Sequence, residues 1–169
     1  TYWVYLQTKS VVSTGFVGGI FLVATALSGF WLGSLVDHYK KKHVLVGSAS
    51  TTLILFFLGW ILYTISPAVI FTSVTSPVLW VLSLILLCGV IAGSVLNITI
   101  STLITHLVPV KNHDKANGLF GTVMGVSFAI TSLASGLVLG YWGMSWVLSI
   151  AVISTLLSLT FLANIAIPE

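Results

Sequence analysis

Charged residues are scarce in this sequence of 169 residues, of which only 5% are Asp, Glu, Lys or Arg and none is arginine. A soluble domain of ordinary composition is about one quarter charged. So few charges cannot cover a surface that faces water, which excludes a soluble enzyme, a nucleic-acid-binding protein and a disordered chain. The single cysteine, Cys88, excludes an internal disulfide.

Apolar residues predominate in the sequence: 57% of the chain is hydrophobic and the mean hydropathy is +1.15. The ionisable residues fall in four places, and the long uncharged stretches between them have room for helices of about 20 residues or more. Their continuous apolar character does not fit barrel strands, which alternate. The sequence therefore predicts an all-α integral membrane protein with five transmembrane helices, at about 11–36, 44–64, 79–105, 117–140 and 145–167.

Lysines predict the orientation of these helices. Five of the six lysines lie in the two connections 37–43 and 106–116, and most Trp and Tyr residues map to the opposite side. Because cytoplasmic loops are enriched in lysine and arginine, both connections are predicted to be cytoplasmic, in a multi-pass protein of the cell membrane. His106 and His113 are interpreted as interfacial, because their spacing matches no metal motif.

The first and fourth spans resemble each other when they are aligned with a shift of 107 positions. Both copies end in Ser-Gly-x-x-Leu-Gly, and the alignment pairs Gly29 with Gly136 and Gly33 with Gly140. This pattern predicts an inverted repeat of three helices, an architecture of secondary transporters. Convergent packing of small residues is the alternative. A complete repeat requires a helix before residue 11, so residues 1–10 are interpreted as the stub of that helix and residues 1–169 as a fragment.

The first basic connection reads Gly-Ser-Leu-Val-Asp-His-Tyr-Lys-Lys-Lys from Gly33 to Lys42. It resembles the Gly-x-Leu-x-Asp-Arg-x-Gly-Arg-Arg/Lys signature between helices two and three of the major facilitator superfamily. Gly33, Asp37, Lys41 and Lys42 match, whereas His38 and Lys40 depart from the pattern. The resemblance implies helices two to six of a six-helix N-terminal half, and it implies that these four residues form a conformational latch. The alternative for the lysines is a solvated, positive-inside loop.

The fourth span resembles a glycine-rich signature that the same superfamily associates with exporters, although hydroxyl residues replace several of its glycines. Close helix packing is predicted at the small residues of the two related spans, namely Gly29, Gly125, Ser132, Gly136 and Gly140. The overall resemblance is nearest to bacterial drug and macrolide efflux permeases.

The third span carries the most polar face of the five. Ser94, Asn97 and Ser101 recur at steps of three and four residues and so share one side of a helix. This face is predicted either to line a substrate cavity or to form hydrogen bonds between helices.

No acid or base lies inside any span, and Ile85 stands where the family has an arginine. Any proton or ion coupling residue is therefore predicted outside this fragment, and no cofactor is predicted.

The predicted function is secondary transport of a small molecule, with efflux favoured. An uptake permease for a sugar or another metabolite, or a non-catalytic membrane scaffold, is the alternative. An enzyme is not expected, because only His106, His113 and Asp114 offer reactive groups near the end of a span. The expected partners are the lipid bilayer, the substrate, the missing first helix and a C-terminal six-helix half, with no nucleic acid.

Overall fold

The computed structural model of the protein describes residues 1–165, except for the side chain of His106. Helices make up nearly all of this part, and residues 1–165 contain no strand. Two short 3₁₀ turns, Ala68–Thr72 and Val110–Asn112, lie in the connections. The α-helices are α1 (Tyr2–Thr8), α2 (Val11–His38), α3 (Lys41–Ile65), α4 (Pro77–Leu107), α5 (His113–Trp142) and α6 (Met144–Asn164).

Five of these helices, α2 to α6, are long and apolar enough to cross a membrane. The predicted all-α fold with five membrane-spanning helices is thereby confirmed. We call the end that carries the connections 37–43 and 106–116 the basic end. The opposite end, with residues 66–76 and 142–143, is called the aromatic end.

The connections at the basic end are shorter than predicted. Helix α2 continues through Asp37 and His38, and α3 already begins at Lys41, so the predicted loop 37–43 is reduced to Tyr39 and Lys40. The predicted loop 106–116 likewise contains helix at both ends. Charged residues mark the edge of the hydrocarbon core of the membrane, but a helix can continue beyond that edge into the interface. The helices are therefore longer, and the connections shorter, than the charges alone predict. At the other end of the chain, α6 ends at Asn164, and residues 166 and 167 of the last predicted span lie outside the described residues.

Proline and glycine set the breaks at the aromatic end. Helix α3 ends just before Ser66-Pro67, and Pro77 occupies the start of α4, where its missing amide hydrogen costs no helical bond. Between α5 and α6 the chain turns at Gly143, whose φ of 82° favours glycine. The Gly143 amide donates to the carbonyls of Val138 and Leu139, at 3.1 and 3.2 Å, and so closes the end of α5.

Helix α3 packs most extensively against α4 and α6, and α2 packs against α4. The larger apolar core lies at the aromatic end, where Trp3 and Val4 of α1 meet Phe71 and Leu79. A smaller core at the basic end consists of Val36, Val44 and Val95. No residue in the apolar stretch of α5 is buried in the described structure.

Candidate functional site

The short turn between α2 and α3 brings the predicted latch residues together at the basic end. Tyr39 adopts an extended conformation and its amide donates to the carbonyl of Leu35, at 3.2 Å. This bond closes α2, so Asp37 stands in its last turn while Lys41 and Lys42 stand in the first turn of α3. The lysines are half-buried, which is common for long side chains that pack their methylenes and keep the ammonium group in water.

The Asp37 carboxylate is exposed and has no hydrogen bond or ion pair with any residue that the structure describes. A carboxylate at a membrane boundary is stabilised by partners such as a helix N-terminus or a cation. Gly33, one turn earlier on α2, has no atom within 4 Å of a Cβ added there. Asp37 thus offers an acceptor, and Gly33 an open surface, that no described residue occupies.

The histidines with described side chains lie at or near helix ends. The ring of His113 is bonded through Nε2 to the carbonyl oxygen of Val108, at 2.7 Å, which ties the start of α5 to the preceding turn. The ring of His38 contacts the carbonyl oxygen of Ser34, at 2.9 Å, within α2. Among the described residues, no three His, Cys, Asp or Glu side chains are grouped closely enough to hold a metal ion.

The polar face of α4 points away from the core. Asn97 and Ser101 are exposed and Ser94 is half-buried, whereas Val95 and Thr99 between them are buried. The Ser94 and Ser101 hydroxyls donate to carbonyls of their own helix, those of Ile91 and Asn97, at 2.6 and 3.1 Å.

The amide of Asn97 is the unsatisfied member of this face. It has no hydrogen bond to any described residue, although it carries two donor hydrogens and an acceptor oxygen. A free amide in hydrocarbon is costly, whereas water or a ligand would satisfy it. The predicted alternative, a hydrogen bond between helices, is not formed within the described bundle.

A profile of the Major Facilitator Superfamily matches residues 2–168, almost the whole chain. The chain belongs to the Major Facilitator Superfamily. No curated protein and no solved structure matches it. As a superfamily member with five apolar helices, the protein is a multi-pass integral membrane protein, and secondary transport of small molecules is the general activity of the family.

The predicted packing positions do not pack against other helices among the described residues. No described atom lies within 4 Å of a Cβ added at any of the four glycines, and Ser132 is exposed. Close helix packing at these positions is not formed within residues 1–165 and stays a prediction. The positions are Gly29, Gly125, Ser132, Gly136 and Gly140.

The close helix contact is instead between α3 and α4, at Gly89 and Gly93. A Cβ on Gly89 would lie 2.6 Å from Cε1 of Phe56, so only glycine fits there without a shift. Beside it, the Thr52 hydroxyl lies 3.2 Å from the carbonyl oxygen of Gly89 and donates across the interface. The four-residue spacing of Gly89 and Gly93 is the small-xxx-small pattern of membrane helices, and this signal could have located the contact.

An aromatic cluster at the aromatic end was also missed. The rings of Trp3, Tyr63 and Phe71 have centroids 5.3 to 5.9 Å apart, in stacked and edge-on arrangements. Phe71 belongs to the connection between α3 and α4. Because aromatic residues are common at membrane interfaces, the sequence alone does not show that Phe71 is part of the core. The 3₁₀ turn that carries Phe71 folds the connection back over the bundle, and no pattern in the sequence predicts that return.

Proposed function

We propose that the protein exports a small, uncharged and largely apolar molecule by alternating access, with the exposed polar face of α4 forming part of the substrate cavity. The observation that carries the proposal is the Asn97 amide, which is exposed and without a partner among the described residues. One amide among apolar side chains is the usual lining of a site that binds an apolar molecule and fixes its orientation.

The distribution of charge supports an uncharged substrate. The uncharged stretches 10–36, 44–105 and 116–168 contain every predicted membrane span. Charged groups inside a membrane mark ion and proton pathways, so coupling to an ion gradient would use a group outside this sequence. Export, rather than uptake, is supported by the small residues of α5, which resemble the exporter signature.

The α2–α3 turn supplies the conformational latch of this proposal. Asp37 would bind a partner element in one conformation and release it in the other, and Gly33 would allow that element to approach. Lys41 and Lys42 would hold the turn at the membrane surface, and the positive-inside rule supports a cytoplasmic position for it. The protein is proposed to act in the cell membrane, together with the first helix and the second six-helix half.

The substrate proposal is tested by Asn97→Ala in the full-length transporter. Export of a panel of apolar drugs from cells is measured at matched expression, and we expect at least a severalfold change in rate or a changed order of substrates. The matched control is Cys88→Ala, because Cys88 is also exposed but lies two and a half turns away, on the opposite side of α4. Unchanged export by Asn97→Ala would refute the site, and drug accumulation above that of cells without the protein would refute export.

A further inference from the structure

A cleft opens between α2 and α3 at the basic end, where these two sequential helices diverge. Its volume is about 410 Å³, and it is lined mainly by apolar groups, with Leu32 and Leu35 on one wall, Val44 and Gly47 on the other and Val95 of α4 at its base. Helices joined by so short a turn normally pack along their length, whereas α2 and α3 touch each other little. The cleft is distinct from the polar face of α4.

The dimensions of the cleft match one leaflet of a bilayer. It follows α3 from His43 to Thr51, a length of about 12 Å at the rise of an α-helix. The hydrocarbon of one leaflet is about 15 Å thick. A groove of this depth that starts at the membrane surface is suited to an acyl chain.

The charge of the turn beside the cleft favours an anionic headgroup. Tyr39 and His43 line the mouth, and Lys40, Lys41 and Lys42 lie between them in the sequence. Asp37 is the only acid in this turn, so the turn carries a net positive charge. Basic pockets between helices on the cytoplasmic side bind anionic lipid headgroups.

We propose that this cleft binds an anionic phospholipid of the adjacent leaflet, with an acyl chain between α2 and α3 and the phosphate beside the lysines of the turn. The charge of the turn disfavours a cationic occupant, and the apolar walls disfavour a free phosphate ion. Such a lipid would fill the space between the two helices that carry Asp37 and the lysines. It would therefore hold the turn in one arrangement.

The test is native mass spectrometry of the full-length protein in detergent, titrated with phosphatidylglycerol or with phosphatidylcholine of the same acyl chains. We expect tighter binding of phosphatidylglycerol. Lys41→Gln/Lys42→Gln should weaken that binding about fivefold for each lysine removed. The matched control, Lys111→Gln/Lys115→Gln, removes the same charge from the other basic connection and should weaken it less than twofold.

A second variant tests the acyl-chain site without changing charge. Gly47 lines the cleft and a Cβ added there meets no neighbour within 4 Å, so Gly47→Leu adds apolar volume inside the cleft and should abolish preferential binding of phosphatidylglycerol. Its control is Gly121→Leu, on open surface of α5. Circular dichroism and gel filtration identify any variant that fails to fold. If Gly47→Leu or the double lysine variant fails, the remaining one and the comparison of the two lipids test the proposal.

Four results would overturn the proposal. One is equal affinity for the two lipids, and another is equal weakening by the two pairs of lysine substitutions. The third is unchanged binding to Gly47→Leu. The fourth is a dimer mass without bound lipid, which would favour a second copy of the chain as the occupant. Because every readout is lipid binding, failure of the transport assay leaves this test intact.

Discussion

Asp37 is the charged residue on which the proposed conformational latch depends, and its role can be tested with a single substitution. Asp37→Asn keeps the size of the side chain and removes the charge that a helix N-terminus or a cation would bind. We expect at least a tenfold loss of transport turnover in proteoliposomes of the full-length protein, with normal membrane insertion. Asp114→Asn is the control, because Asp114 is the acid of the other basic connection and stands in the first turn of α5. Unchanged turnover would remove Asp37 from the mechanism.

Thr52 joins α3 to α4 through one hydroxyl group. Its hydroxyl lies 2.9 Å from the carbonyl oxygen of Ser48 and 3.2 Å from that of Gly89, so one hydrogen is shared within and between helices. Hydrogen bonds between membrane helices contribute about 0.6 kcal/mol on average. Thr52→Val should lower the free energy of unfolding in detergent by about that amount.

The neighbouring Thr51 provides the control for this measurement. Its exposed hydroxyl donates only to the Gly47 carbonyl of its own helix, at 2.9 Å. Thr51→Val should therefore lower the free energy of unfolding less than Thr52→Val does. If the two valine variants were equally stable, the bond between Thr52 and Gly89 would contribute nothing.

At the scale of elements, the contact between α3 and α4 depends on Gly89. An added methyl group would overlap the ring of Phe56, and overpacking of this kind costs about 1–3 kcal/mol. The gain in helix propensity from glycine to alanine offsets up to about 1 kcal/mol. Gly89→Ala should thus destabilise the protein by about 1 kcal/mol, measured as unfolding in detergent.

A double substitution identifies the cause of that loss. Phe56→Leu shortens the side chain that the new methyl group would meet, so Gly89→Ala should cost less in the Phe56→Leu background. Gly121→Ala on α5 is the control, since nothing lies within 4 Å of a Cβ there, and it should be neutral or stabilising. Equal losses in both backgrounds would show that Phe56 is not the obstacle.

The elements could be predicted from the sequence because hydrocarbon permits so few alternatives. Uncharged stretches fix the number of spans, and Pro67, Pro77 and Gly143 fix the breaks at the aromatic end. The end of α2 at His38 and the start of α3 at Lys41 could not be predicted, since helices cross the interface without a compositional signal. The contacts between helices could not be predicted either. Gly89 and Gly33 are both glycines in apolar stretches, but only Gly89 faces a neighbouring helix in the structure.

At the scale of the whole molecule, the described bundle is packed on one side only. Helices α3 and α4 form its centre, whereas α5 exposes apolar side chains along its length, among them Leu119, Phe128 and Leu133. Lipid or further protein must cover such a surface. The polar face of α4 was predictable from its period, but its exposure follows from how α2 and α3 occupy the other sides of that helix.

The predicted membrane topology of the chain can be mapped with single cysteines. In a Cys88→Ser background, Lys41→Cys and Lys111→Cys should react with an impermeant maleimide only after the membrane is opened, because both lie at the basic end. Thr75→Cys lies in the connection at the aromatic end and should react in intact cells. Labelling of Lys41→Cys and Lys111→Cys from opposite faces would contradict the number of spans between them. Labelling of both in intact cells would reverse the orientation and move the latch outside the cell.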